Sequence, residues 1–213
     1  MAVSVRQTII VRMTADERAL QWLFQFTDWE RGIGWGRGAG ADVSWNLGRT
    51  RWLLDAVGQP DRDVPAVLIA GTKGKGSTAA MIESIARAAG FRTALYTQPH
   101  LQEYRERVRL DGEPINAADF ARLVERFPEP VARMALEQPE AGEPTTYEIT
   151  TALAMLAAKE HCADLAVIEV GLGGRLDATN CLNPAVSVLT RVSYDHTQIL
   201  GSTLAAITRE KVA

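Results

Sequence analysis

A glycine-rich segment that follows a short apolar run carries the strongest chemical signal in the sequence. Residues 66–70 are all apolar, and residues 71–78 read Gly-Thr-Lys-Gly-Lys-Gly-Ser-Thr. A short apolar run bounded by turn residues is typical of a strand buried on both faces of a parallel sheet. The glycines let backbone N–H groups approach an anion, and a helix predicted over 79–89, opening at Ser77, directs its positive dipole end into the turn. The segment is therefore predicted to bind a polyphosphate.

Every residue of this turn is a candidate contact for ATP. The predicted ATP-binding residues are Gly71, Thr72, Lys73, Gly74, Lys75, Gly76, Ser77 and Thr78. Lys75 offers a mobile cation, and Ser77 offers a hydroxyl for a metal ion or a phosphate oxygen. The spacing departs from the Walker pattern because Gly76 separates the lysine from the serine and Ile69 stands at the first glycine position. The alternative is a glycine-rich turn with a solvated lysine, but the order of strand, glycines, lysine, hydroxyls and helix favours a phosphate site.

Composition bounds the class of protein. The chain has 213 residues, 46% of them hydrophobic and 23% charged, as in an ordinary globular protein. A formal net charge of −3 argues against a broad nucleic-acid surface. Cys162 and Cys181 have no metal-binding spacing, and no apolar run has the length of a membrane span. We expect a cytoplasmic monomer that binds neither nucleic acid nor membrane.

Strand and helix patterns alternate along the chain. Strands are predicted over 66–70, 93–96, 165–170 and 186–189, and helices over 118–127, 147–159 and 204–211. Thr14 to Glu17 forms a capping-box pattern before another helix, and residues 45–57 also favour a helix. We expect no regular structure, or weak helix, over 128–144, a charged stretch after His100, and a mobile loop over 32–40 that connects elements or covers a ligand. This alternation predicts an α/β fold with a mostly parallel sheet and flanking helices.

Ligands of parallel sheets bind outside the carboxyl ends of the strands. Four separate segments of this chain reach that edge: the glycine-rich turn, Gln98 with His100, residues 169–177, and Asp195 with His196. Their convergence on one edge is stronger support for a site than any single motif.

Several motifs together resemble a known family. They are residues 71–77, 96–100, 106–109, 112–115, 169–180, 195–196 and 210–211. In this order they resemble the folylpolyglutamate synthase and dihydrofolate synthase family of the Mur ligase superfamily, over nearly everything from Ala66 onward. The run Glu-Val-Gly-Leu-Gly-Gly-Arg-Leu-Asp-Ala-Thr-Asn over 169–180 is the most specific part. The resemblance implies a P-loop NTPase-like Mur ligase central domain.

The resemblance also implies a domain organisation and an activity. Residues 1–62 would form an N-terminal helical and loop segment of the same domain, and residues 63–213 the ATPase domain, truncated at its C-terminal end and without the family's second α/β domain. The family uses ATP and Mg²⁺ to phosphorylate the carboxylate of dihydropteroate or a reduced folate, and the amine of L-glutamate then attacks the acyl phosphate. Such a truncated chain is expected to be inactive alone. The alternatives are another Mur-type amino-acid ligase and a non-catalytic nucleotide-binding module.

The family's functional residues map onto this chain by motif. The resemblance implies Lys75, Glu169, His196 and Lys211 as catalytic residues, with Lys211 carried as a carbamate. It implies Glu169, His196, Ser77 and Gln98 as magnesium ligands. It implies His100, Thr145, Thr146, Tyr147, Arg175 and Asp177 as substrate-binding residues.

Two of these positions depart from the family pattern. Gln98 stands where the family has serine, and its longer side chain would require the loop to retreat before the amide oxygen could coordinate magnesium. Thr146 stands where the family often has tyrosine, with Tyr147 following it. The first departure bears on the metal site and the second on the choice of substrate.

Overall fold

A computed structural model describes residues 13–28 and 46–212. The helices are α1 (Ala15–Leu23), α2 (Leu47–Ala56), α3 (Lys75–Ala88), α4 (Ala117–Val124), α5 (Pro128–Glu137), α6 (Thr146–Glu160), α7 (Thr197–Leu200) and α8 (Leu204–Val212). The strands are β1 (Ala66–Ala70), β2 (Thr93–Tyr96), β3 (Val108–Leu110), β4 (Glu113–Pro114), β5 (Leu165–Glu169) and β6 (Val186–Leu189). The loose alternation over residues 3–13 predicts a short strand or an extension, and of this segment only Met13 is described. The predicted mobile loop over 32–40 lies outside the described residues.

The strands form one sheet in the order β4-β3-β2-β5-β1-β6. The four strands β2, β5, β1 and β6 are parallel, which confirms the predicted α/β fold with a mostly parallel sheet. The strands β3 and β4 add an antiparallel hairpin at one edge. Asp111 and Gly112 join them with positive φ angles of 50° and 88°, the backbone of a tight hairpin turn. The prediction of a charged stretch after His100 did not include this hairpin over 108–114.

The two faces of the sheet carry cores of different size. On one face, α6 packs against the strands, α2 and α4 pack against α6, and α1 packs against α4. On the other face, α3 covers β1, β5 and β2, and the buried core there consists of five side chains: Val67, Ile69, Ala79, Leu95 and Val167. Because strand residues alternate between faces, Leu68 and Ile168 belong to the α6 core while Val67 and Val167 belong to the α3 core.

Local sequence signals explain most helix ends. The Thr14 side chain accepts from the backbone N–H of Glu17, whose carboxylate accepts from the Thr14 N–H, so the predicted capping box is present. Thr145 opens α6 with a second capping box. The segment 128–144, predicted to be irregular or weakly helical, contains the regular helix α5, which begins with Pro128 and buries Met134.

The helix after the glycine-rich turn begins earlier than predicted. Its first residue is Lys75 and its N-cap is Gly74 in the left-handed region, so Lys75, Gly76 and Ser77 form the first turn of α3. Within residues 13–28 and 46–212, no helix is long and apolar enough to cross a membrane.

Candidate active site

The glycine-rich turn joins β1 to α3 at the carboxyl edge of the sheet. Gly71 has φ 147° and Gly74 has φ 87°, conformations that favour glycine. The first turn of α3 carries Lys75, Gly76 and Ser77, and its unpaired N–H groups and positive dipole end lie at the turn. This is the geometry of an anion-binding helix N-terminus that is preceded by a glycine-rich loop.

A second segment, residues 190–193 beyond β6, braces this turn. The Thr190 hydroxyl lies 3.1 Å from the carbonyl oxygen of Ala70 and 3.0 Å from that of Lys73, on both sides of the bend. The Thr72 N–H donates to the Arg191 carbonyl over 2.9 Å. A Cβ on Gly71 would lie 1.8 Å from the Thr190 hydroxyl oxygen, so the contact itself requires glycine there. The sequence analysis missed this brace.

A reciprocal contact extends the brace. The Thr72 hydroxyl donates to the Ser193 carbonyl over 3.1 Å and lies 3.2 Å from the Ser193 N–H, which donates to it. One feature of the sequence could have revealed these contacts. Thr190 directly follows the predicted strand 186–189, and the carboxyl ends of parallel strands lie at the same edge of a sheet, where the glycine-rich turn also lies.

Glu169 places a carboxylate beside the glycine-rich turn. It is the last residue of β5, is 5% exposed, and its Oε1 lies 4.0 Å from the Lys75 Nζ. Its Oε2 accepts the Gln98 N–H at 3.2 Å. A Cβ on Gly76 would lie 3.2 Å from Oε2, so the small residue lets the carboxylate approach α3 closely. The arrangement joins a cation, a carboxylate and a helix N-terminus within one small region.

Lys211 reaches the same turn from α8. It is 7% exposed, and its Nζ donates to the Gly71 carbonyl at 3.0 Å. Burial lowers the pKa of Lys211 below its usual value, and the nearby Lys75 cation lowers it further. The structure therefore brings three of the four predicted catalytic residues, Lys75, Glu169 and Lys211, to the glycine-rich turn.

His196, the fourth, lies on a neighbouring loop. It precedes α7 with φ 45°, half of its side chain is exposed, and its Nε2 lies 3.6 Å from the Asp195 carboxylate. Among residues 13–28 and 46–212, no three His, Cys, Asp or Glu side chains gather into a metal-binding group. Magnesium commonly takes one or two carboxylates together with substrate phosphates and water, so Glu169, whose carboxylate adjoins Gly76 in the first turn of α3, fits this ion without such a group. The role of His196 as a ligand stays a prediction.

Tyr147 and Asp177 form the centre of a buried network beneath the loop 171–179. The Tyr147 hydroxyl donates to Asp177 Oδ1 at 2.8 Å and accepts the Gly171 N–H at 3.0 Å. Asp177 also accepts the Leu172 N–H at 2.8 Å and both the N–H and hydroxyl of Thr179, at 3.0 and 2.6 Å. Burial raises the pKa of Asp177. In this structure the pair orders the loop that follows Glu169.

Gln98 belongs to the edge of this network. Its side-chain nitrogen and the Tyr147 hydroxyl both lie close to Gly171. A Cβ placed on that glycine would lie 2.9 Å from the nitrogen and 2.8 Å from the hydroxyl oxygen. The backbone N–H of Gln98, by contrast, contacts Glu169. Coordination of magnesium by the Gln98 side chain stays a prediction.

The remaining predicted substrate-binding residues are dispersed. The Thr146 hydroxyl is buried and donates to the Leu23 carbonyl at 3.0 Å, which ties α6 to α1. His100 accepts the Arg107 Nε–H at 3.0 Å through Nδ1. Arg175 forms an exposed ion pair with Glu210 at 3.1 Å, and Thr145 caps α6. Contact between these residues and a substrate stays a prediction.

Taken together, the fold and site define an α/β protein with a P-loop-like glycine-rich turn at the carboxyl edge of a mostly parallel sheet. The family model of the Mur ligase middle domain matches residues 69–213, and the chain belongs to this family. It is 40% identical over 166 residues to the dihydrofolate synthase/folylpolyglutamate synthase of Bacillus subtilis, covering 78% of this chain and 38% of that protein. It is 38% identical over 159 residues to the folylpolyglutamate synthase of Lacticaseibacillus casei, covering 75% and 37%.

Solved structures agree with this assignment. A structure described as an FPGS–AMPPCP–folate complex superposes with a TM-score of 0.81 at 33% identity, covering 92% of this chain and 45% of that chain. The Mycobacterium tuberculosis folylpolyglutamate synthase complexed with ADP gives a TM-score of 0.80 at 34% identity, covering 92% and 41%. The chain therefore spans less than half the length of these relatives.

Proposed function

We propose that this chain is the nucleotide-binding part of an ATP-dependent ligase that joins L-glutamate to the carboxylate of dihydropteroate or a reduced folate. The observation that carries the proposal is the meeting of Lys75, Glu169 and Lys211 at a glycine-rich turn that opens a helix. The names of the relatives support the substrate class, and the AMPPCP–folate complex supports ATP and a folate as ligands of such a protein.

The geometry supports an acyl-phosphate route. The N–H groups of the turn and the Lys75 ammonium would hold the triphosphate and neutralise charge as the γ-phosphoryl group moves to the substrate carboxylate. Glu169 and Ser77 would hold a magnesium ion, with His196 as a further ligand. Bound magnesium would stabilise the negative charge on the phosphoryl oxygens.

Burial moves the pKa of Lys211 in the direction that carbamate formation requires. Only a neutral amine adds carbon dioxide, and burial already lowers the pKa of Lys211. The carbamate would carry an anion to the edge of the phosphate site. We also propose a cytoplasmic location and a monomer. Both described cysteines are free, as expected in a reducing compartment.

A thermal-shift screen tests the proposed function against its alternatives. The chain is incubated with Mg²⁺ and AMPPCP, and then with pteroate, folate or a uridine-diphosphate-linked cell-wall precursor. A ligand that binds only the folded state raises the midpoint of unfolding. Stabilisation by the pteridines supports the proposal, whereas stabilisation by the uridine nucleotide alone would assign a different Mur-type ligase. A chain stabilised by nucleotide but by none of these acceptors would be a nucleotide-binding module.

A further inference from the structure

The first turn of α6 is contacted by three other parts of the molecule. The Thr146 hydroxyl donates to the carbonyl of the last residue of α1. The Tyr147 hydroxyl donates to Asp177 in the loop that follows β5. The Glu148 carboxylate accepts from the Arg49 guanidinium on α2. The position of this turn therefore decides where Thr146 and Tyr147, two predicted substrate-binding residues, lie.

The contact from α2 is a buried ion pair. Arg49 and Glu148 are 6% and 7% exposed, and Nε and Nη2 of the arginine donate to the carboxylate at 2.8 to 3.1 Å. The third nitrogen, Nη1, donates at 3.0 Å to the carbonyl of Ala141, in the segment that leads into α6. A planar guanidinium that bonds through all three nitrogens fixes the direction of its partner as well as the distance. Arg49 therefore sets how the start of α6 lies against α2.

Glu148 has a second role at the start of the helix. It is the third residue of α6, and its Oε2 accepts the Thr145 N–H at 2.7 Å while its own N–H donates to the Thr145 hydroxyl at 3.1 Å. A capping box requires only glutamate or glutamine at this position, so the guanidinium is not part of it. Burial of a complete ion pair also costs the desolvation of both charges. The start of the helix therefore does not by itself account for Arg49.

The same end of α2 also contacts the loop on the other side of Tyr147. The residues after Asp177 form a short 3₁₀ helix that ends at Cys181, whose thiol donates to the Leu47 carbonyl at 3.1 Å. The first turn of α2 thus contacts both partners of the hydrogen bond between Tyr147 and Asp177. Arg49 reaches the α6 side, and Leu47 reaches the loop side.

We propose that Arg49 is a positioning residue for the acceptor substrate. It acts through Glu148, which fixes the first turn of α6 and thereby the direction of the Tyr147 side chain. The Tyr147 hydroxyl holds Asp177 and the Gly171 N–H at 2.8 and 3.0 Å, so a displaced turn would release the loop that follows β5. The inference rests on the proposed function, in which this turn and this loop contact the acceptor.

The first test measures the position of the loop without any ligand. The amides of Gly171 and Leu172 report on it, because both donate to the network beneath the loop. Their hydrogen exchange is followed by NMR in the native chain, in Arg49→Met, and in Arg49→Met combined with Glu148→Gln. The glutamine of the double variant preserves the capping box and removes the buried negative charge.

The two variants separate stability from positioning. Arg49→Met should destabilise the fold, because a buried carboxylate loses its guanidinium partner. The double variant should regain most of that stability, so that the amides of β5 exchange at nearly native rates. Exchange at Gly171 and Leu172 should nevertheless stay at least about fivefold faster than in the native chain, because the turn is no longer held in one direction.

A matched control lies on the same helix. Arg51 pairs at 2.7 Å with Asp61, whose side chain is 4% exposed, so Arg51→Met also removes the cation from a buried carboxylate. This variant should lower stability without a selective acceleration at Gly171 and Leu172. If it accelerates those two amides as much as Arg49→Met does, the effect is a general loss of stability and the proposal is wrong.

The second test measures the acceptor. Calorimetry with pteroate, in the presence of Mg²⁺ and AMPPCP, should show at least about fivefold weaker binding by the double variant, whereas AMPPCP alone should bind within about twofold of the native affinity. Native amide protection or native pteroate affinity in the double variant would show that the ion pair only neutralises charge, and would overturn the proposal.

The proposed function is tested separately by the native chain. A native chain that binds AMPPCP but not pteroate would contradict the acceptor assigned under the proposed function, and with it the role of Arg49 toward a substrate. The amide exchange would still decide whether Arg49 positions the loop, because that measurement contains no ligand.

Discussion

The two faces of the sheet differ in how they are covered and in what they carry. The α6 face holds the larger core, in which Leu153 and Ile149 are fully buried. The α3 face has five buried core residues, and Met81 and Ile85 on α3 are 58% and 70% exposed. The glycine-rich turn and Glu169 both adjoin the lightly covered face. Because the α6 face buries more apolar side chains, we expect it to contribute more to the free energy of unfolding than the α3 face.

The largest effect on stability should come from the α6 face. Leu153→Ala removes a fully buried side chain from the centre of α6, and such truncations cost about 2–5 kcal/mol. Ile85→Ala, on the exposed surface of α3, should change the free energy of unfolding by less than about 0.5 kcal/mol. Urea denaturation of both variants measures the contrast. Equal losses would contradict the expectation that the α6 core contributes more than the exposed surface of α3.

The largest effect on binding should come from the α3 side. Lys75→Ala removes the ammonium beside Glu169 in the first turn of α3. A hydrogen bond to a charged group contributes about 1.5–3 kcal/mol, so the affinity for AMPPCP with Mg²⁺ should fall by at least about tenfold. Calorimetry measures the affinity, and the urea midpoint should move little. Unchanged affinity would place the phosphates elsewhere.

Substitution of Thr190 should lower both the stability of the fold and the affinity for AMPPCP, each by less than the two variants above. Thr190→Val keeps the shape of the side chain and removes the hydroxyl that contacts the carbonyls of Ala70 and Lys73. We expect a loss of about 1 kcal/mol in stability and a severalfold loss of AMPPCP affinity, because the turn is no longer held. Thr190→Ser retains the hydroxyl and should restore the affinity. If serine and valine behave alike, the contact does not position the turn.

Sequence reasoning succeeded where the signal is local. The apolar runs predicted β1, β2, β5 and β6 because a strand buried on both faces has few polar residues. It missed the β3–β4 hairpin because Arg105, Arg107 and Arg109 obscure the alternation, although the Asp111-Gly112 pair was a turn signal. It missed the Thr190 brace because the partners are 117 to 120 residues apart in the chain.

The same limit applies within the site. The motif over 169–180 identified Asp177 as a candidate. The sequence does not show that its carboxylate already accepts hydrogen bonds from Tyr147, Leu172 and Thr179. The face of β3 that carries Arg109 likewise depends on the register of β3 with β2. Pairing and orientation are set by tertiary contacts, whereas residue type and turn chemistry are present in the chain itself.

The smallest expected effect concerns Lys211, whose amine α8 buries beside the glycine-rich turn. Because burial lowers the folded-state pKa of Lys211 below its usual 10.5, the unfolded chain binds more protons between that lowered pKa and 10.5. Lys211 therefore makes the free energy of unfolding rise with pH between its lowered pKa and 10.5. Below the lowered pKa, the buried ammonium destabilises the folded state by its full amount. Lys211→Met lacks the titrating group and should lack this rise.

The measurement is urea unfolding of the native chain and Lys211→Met at pH 7, 8, 9 and 10 in carbonate-free buffer. The stability of the native chain should increase relative to that of the variant as pH rises, since the neutral amine still donates to the Gly71 carbonyl without the cost of a buried charge. Lys159→Met is the control, because Lys159 is more exposed and pairs with Asp63. A stability difference between the native chain and Lys211→Met that does not change with pH would mean that Lys211 titrates as a solvated lysine. In that case burial would not lower the pKa of Lys211, and the structure would give no support for a carbamate at this edge of the sheet.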